Sequence, residues 1–189
     1  MADGDCQDAR AKVHEAAGEL YQIAALMMGD EAQAVELVEA TVSDTRIDPC
    51  TEADASVKAA RQTLVESAVA RLTKADPGSF DAPATIHQAS GHCIDEDDLA
   101  SAGISASQLA RMMSGPERGR LREWLNRLPV VQRAIFVERA ILGWDNAAAA
   151  KSLSRAAARD WQPEQVSELF RQALCSLATS LVHAAANKI

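Results

Sequence analysis

The chain has 189 residues and a formal net charge of −8; it is 48% hydrophobic but only 4% aromatic. That balance argues against indiscriminate nucleic-acid binding, and its alanine-rich, aromatic-poor character favours close-packed helices over a sheet. No apolar run approaches the length of a membrane span and no charged-then-apolar start resembles a signal peptide, so the sequence predicts a cytoplasmic protein with no membrane partner.

The charge is unevenly spread. Residues 1–75 carry 7 basic and 14 acidic side chains, residues 76–110 carry none and 6, and residues 111–189 carry 12 and 7. Two surfaces with different partners are expected from that asymmetry. Cys6, Cys50, Cys93 and Cys175 lie far apart and form no CxxC pair. This spacing predicts reduced thiols rather than a disulfide framework.

In chain order, a first helix is predicted from Asp8 to Met28, with Val13, Ala16, Ala17, Leu20, Ala24 and Met27 along one face. Gly29 suits the position after its last turn. Asp30 suits the N-cap of a second helix, Glu31 to Thr45, with Gln33 at the capping-box position. Asp48-Pro49 stops that helix. A third, Glu52 to Lys74, places Val57, Ala60, Leu64, Ala68 and Leu72 in register, with Val65 and Val69 beside them. These helices predict a bundle over 8–75.

Residues 76–110 hold Pro77, Gly78, Pro83, Gly91 and Gly103 and an acidic run, the composition of a linker. A short helix from Ser105 to Met113 follows. Over 111–187 a second helical bundle is predicted. Leu121, Trp124, Leu125 and Leu128 form one stripe, and Pro129 suits the first position of a helix to Leu142. That helix is expected to bury Val130, Ala134, Val137 and Ile141, with Ile135 and Phe136 alongside. Gly143 ends it, a short alanine helix runs from Asn146 to Leu153, and a long one opens at Pro163. Its Val166, Leu169, Phe170, Ala173, Leu174, Leu177, Ala178, Leu181 and Val182 keep the i, i+3, i+4 rule. Trp124, Trp144 and Trp161 are expected as core anchors. The predicted fold is all-α, two small helical bundles joined by a linker.

A short helix, a turn and a long helix make a helix-turn-helix-like end to the chain. In front of it stand Leu128-Pro129, Gln132-Arg133, Phe136, Arg139 and Gly143. With that string, and with Gly29, Glu36, Leu37, Val38 and Glu39 in the N-terminal half, the chain resembles the sigma-70 family. The likeness is to the small two-domain sigma factors that respond to extracytoplasmic signals, and it covers about two-thirds of the sequence. It implies a non-enzymatic role in transcription initiation and no cofactor. RNA polymerase core would bind at Glu36, Leu37 and Glu39, and promoter DNA would meet the last two helices at Arg155, Arg159, Gln165, Ser167, Glu168, Arg171 and Gln172.

The departures from the family concern DNA. Its recognition helix is studded with Lys and Arg, where this chain has Ser167, Leu169, Gln172 and Leu174. Arg155, Arg159 and Arg171 supply few phosphate contacts, against the roughly 6–10 of strong DNA binders, and Gln165 or Gln172 an adenine edge. The turn, read as "SRAAARDW", is longer than the family's. Between Tyr21 and Phe80 there is no aromatic residue to stack on separated promoter strands. DNA contact is therefore expected to be weak or lost. The alternative is a sigma mimic that binds an anti-sigma factor and not DNA. A third reading is an unrelated helical adaptor or enzyme, though no phosphate-cradling loop, HExxH or GxSxG motif supports catalysis. His87, His92 and Cys93, with Asp95 to Asp98 behind them, have no metal-ligand spacing, and no metal site is predicted.

Overall fold

A computed structural model describes the backbone of residues 2–44, 53–81 and 118–186, and the regular structure among them is entirely helical. The chain divides into two compact units, Met1–Ala75 and Asp76–Ile189.

In the first unit α1 runs Ala2–Met28, α2 Glu31–Asp44 and α3 Ala53–Ala75, and each packs on the other two. The start of α1 precedes the predicted Asp8 because its first turns lack apolar periodicity, the signal used to place it. Gly29 ends the helix at φ +74°, a left-handed conformation that glycine adopts without a Cβ clash, and its N–H donates to Ala25 O at 3.1 Å. Asp30 then caps α2, its Oδ1 accepting the Gln33 N–H at 2.8 Å. Such a cap stabilises a helix by about 1 kcal/mol.

Leu20, Ile23, Met27, Leu37 and Leu64 are among the fully buried side chains of this unit. Each contributes about 1.5–3 kcal/mol by leaving water. Ala16, Ala24, Ala60 and Ala68 bring the helix backbones close. Val57, Leu72 and Ala17, predicted for the seam, are only half-buried. The side chain of Val13 lies outside those described.

The second unit opens with a tight turn. Ser79 N–H donates to Asp76 O and Asp81 N–H to Gly78 O, and Phe80 is fully buried. The rest of the predicted linker, the predicted Ser105–Met113 helix, and His87, His92, Cys93 and Asp95 to Asp98 lie outside the described residues. Next come α4 (Arg118–Arg127), α5 (Val130–Phe136), a π-helical turn (Val137–Ile141), α6 (Asn146–Ala157) and α7 (Pro163–Ala186). Helix α7 is the hub, packing on both α5 and α6. Its Val166, Leu169, Phe170, Ala173, Leu174 and Leu177 are buried as their spacing predicts; Ala178 is half-buried, and the Leu181 and Val182 side chains are not among those described.

Three predictions about this unit need correction. The helix expected to continue to Leu142 changes register, because Leu142 N–H reaches back five residues to Val137 O. The extra residue in that turn brings consecutive positions inward. Arg133 through Glu138 are all buried, whereas Val130 and Ile141 are half-buried. Pro129, at ψ 141°, is the N-cap of α5 and not its first helical residue. Finally α6 extends to Ala157, since Ser154 to Ala157 propagate the alanine helix. The turn before α7 is thus the five residues 158–162.

Candidate functional site

The Leu-Pro…Gly string and the two helices behind it form one continuous packing arrangement. Phe136 meets Trp124 edge-on at 4.9 Å and lies 6.1 Å from Phe170 of α7. The Arg139 guanidinium sits 5.1 Å over the Phe170 ring and donates to Trp144 O. Gly143 takes φ +68°, and Trp144 N–H closes the turn on Glu138 O at 3.0 Å. Fully buried Glu138 accepts a hydrogen bond from Ser152 Oγ at 3.1 Å, which fixes α6 against the π turn. Asp145 caps α6 by accepting the Ala148 N–H. Trp124 donates Nε1–H to Ser176 of α7. Of the three tryptophans, Trp124 and Trp161 are buried, while Trp144 is only half-buried.

The α6–α7 turn is held from both ends. Ala158 adopts φ +53°, a left-handed conformation costly for a residue with a Cβ. Buried Trp161 anchors the far side, and its backbone N–H donates to Ser154 Oγ at 2.9 Å. Gln165 reaches back to accept the Gln162 N–H at 2.9 Å, the side-chain half of a capping box. That bond sets the oxygen of Gln165 on the end of α7, where the sequence predicts an adenine contact.

The remaining predicted DNA residues are mostly occupied by one another. Glu168 is only 9% exposed. Its carboxylate accepts two hydrogen bonds from Arg171, at 3.2 and 2.5 Å, and one from Gln172 at 2.9 Å. Gln172 in turn accepts from Gln132 Nε2 of α5 at 3.0 Å. Burial raises the Glu168 pKa, but the hydrogen bonds from Arg171 and Gln172 and the Arg171 charge outweigh it and hold the carboxyl below its usual value. Arg159 is paired at 2.5 Å with Asp81. Arg155 is exposed on α6, and Ser167 is half-buried.

On α2, Glu36 and Glu39 are exposed, but Leu37 is fully buried in the core. Leu37 therefore presents nothing to a partner, contrary to its predicted role. On the same helix Val35 and Val42 are exposed at 45% and 41%. The signal for both was in the sequence: with Glu39 they stand at i, i+4 and i+7, a face distinct from that of Ala34, Leu37 and Thr41.

Sequence reasoning also missed Arg133, 7% exposed, whose hydrogen bond is a long one to Asn126 Oδ1 at 3.3 Å. Burial lowers its pKa. A groove of about 770 Å³ between α1 and α3, lined by Glu15, Glu19, Asp54 and Arg61 among others, was likewise unforeseen. Among the described residues no group of three or more His, Cys, Asp or Glu is placed to hold a metal ion, and no helix is long and apolar enough to cross a membrane. No protein-family model, curated protein or solved structure matches the chain.

Proposed function

We propose that this is a sigma-factor-like protein of transcription initiation, docking on RNA polymerase core through the exposed face of α2 and contacting promoter DNA weakly through the α6–α7 turn. One observation carries the reading. The residues of the sigma-like string, Phe136, Arg139 and Gly143, are the ones that lock α5 and its π turn onto α7 and Trp144. They do so immediately ahead of a helix, a five-residue turn and a helix. The arginine carries more of this reading than the glycine, since a left-handed glycine also ends α1 at Gly29.

On α2, Glu36 and Glu39 flanked by exposed Val35 and Val42 offer an acidic surface with apolar edges, suited to a basic groove on a protein partner. DNA contact would rest on Arg155, exposed on α6, and on Arg159, which Asp81 also engages, while Glu168 holds Arg171 and Gln172. Two arginines release few counterions, so affinity should be low and lost at moderate salt.

The occupied face favours a second reading, a sigma mimic that binds an anti-sigma factor through protein contacts. Glu168, the buried centre of that face, would repel phosphate. Equilibrium binding of the purified chain to purified core polymerase, followed by promoter-selective transcription with that complex, separates the two. Saturable binding with initiation above core alone supports the sigma reading. No binding to core, with tight binding to an anti-sigma protein, supports the mimic.

A further inference from the structure

The Asp81–Arg159 ion pair joins the turn at the start of the second unit to the turn between α6 and α7. Arg159 lies one residue after left-handed Ala158 and two before buried Trp161, so its backbone is fixed from both sides. Asp81 is fixed as well. It follows fully buried Phe80, and its N–H donates to Gly78 O at 3.2 Å within a turn also closed by Ser79 N–H on Asp76 O. With both backbones held, only the two side chains remain to be ordered by the pair. The side chains nonetheless keep 45% and 56% of their surface in contact with solvent. A competing anion can therefore reach Arg159 from solvent.

We infer that Asp81 is an autoinhibitory phosphate mimic: its carboxylate occupies Arg159 and competes with a polyanion for it. The inference rests on the DNA-contacting half of the proposed function and names how that contact is regulated. The Glu168–Arg171 pair has a different character. Its two members are three residues apart on one helix, one of them buried, and they offer no route to release. Asp81 and Arg159 come from separate segments, and both side chains stay about half in solvent, where an anion can compete for the arginine.

The test is binding of the full chain to a fluorescently labelled DNA duplex of mixed sequence over a potassium chloride series. The proteins are wild type, Asp81→Asn, Arg159→Gln and the double variant. Asp81→Asn should bind about 2–5-fold tighter at low salt. Its plot of log affinity against log salt should steepen by about 0.9, the signature of one more neutralised phosphate. Arg159→Gln should bind more weakly than wild type, and adding Asp81→Asn to it should gain nothing.

Unchanged affinity and slope in Asp81→Asn, with wild type binding measurably, overturns the inference alone. A gain that persists in the Arg159→Gln background also overturns it, because the effect would then be general charge and not the ion pair. Absence of DNA binding by both wild type and Asp81→Asn overturns the DNA half of the proposed function and this inference with it.

Discussion

At the scale of single residues, Glu168 shows how one buried carboxylate can occupy the donors around it. A carboxylate 9% exposed and bonded to Arg171 and Gln172 is stable only because those donors are present. Its folded pKa is depressed, so the stability it contributes is present above the unfolded value, near ~4.3, and is lost as pH falls through the lower folded value. Glu168→Gln should therefore cost about 1–2 kcal/mol at neutral pH and flatten the acid limb of the stability curve. Urea denaturation of the two proteins across the acid range reads both effects, and curves that stay parallel there would refute the account. Ala158, at φ +53°, gives the opposite sign. Ala158→Gly should stabilise the second unit by about 0.5–1 kcal/mol, seen as a higher urea midpoint.

At the scale of elements, most helices were legible because three kinds of signal agreed. The Asp30 cap, the Gly29 stop and the apolar spacing together fix α2 to within a residue of its predicted span. In α7 the spacing alone gave the buried face. The π turn was not legible. Its cause is a register change stabilised by partners in other elements, Ser152 on α6 for Glu138 and Phe170 on α7 for Arg139, and no local pattern encodes them. For the same reason the burial of Arg133 and Glu138 was not foreseen from the spacing. Ser152→Ala should cost about 1–3 kcal/mol, because it strips a hydrogen bond from a fully buried carboxylate. Thermal or urea unfolding measures it, and a neutral result would show that Ser152 does not anchor α6.

Helix α2 is where the proposed docking face and the packing residues separate most cleanly. Glu36 and Glu39 are exposed while Ala34, Leu37 and Thr41 carry the packing. Charge reversal at Glu36 and Glu39 should leave unfolding within about 0.5 kcal/mol of wild type. The same change should weaken association with polymerase core at least tenfold if this face docks there. Equal loss by Leu37→Ala would carry no such meaning, since that change opens a cavity in the core.

At the scale of the whole molecule, the all-α class followed from composition and periodicity, and the two compact units each keep their own apolar core. Charge totals by segment, by contrast, do not tell which arginines are engaged. A net-positive C-terminal stretch still pairs Arg171 with Glu168 and Arg159 with Asp81, and pairing is a property of the fold. The cysteines were misread in the same way. Cys175 is disulfide-bonded, against the expectation of reduced thiols, with its partner outside the described side chains. Distance along the chain says nothing about proximity once helices pack. Cys175→Ser should lower stability under non-reducing conditions by about 2–4 kcal/mol and abolish the difference between reduced and oxidised protein. Non-reducing peptide mapping identifies the partner, and a free Cys175 thiol in that map would contradict the bond.

The most direct test of the central claim is a pull-down from native cell lysate with the purified full chain as bait and mass spectrometry as readout, run beside the Glu36→Lys, Glu39→Lys double variant. A sigma-factor-like protein that docks through α2 should recover the core polymerase subunits with the wild-type bait and lose them with the variant. Recovery of an anti-sigma protein without polymerase, or of polymerase equally by both baits, would contradict it.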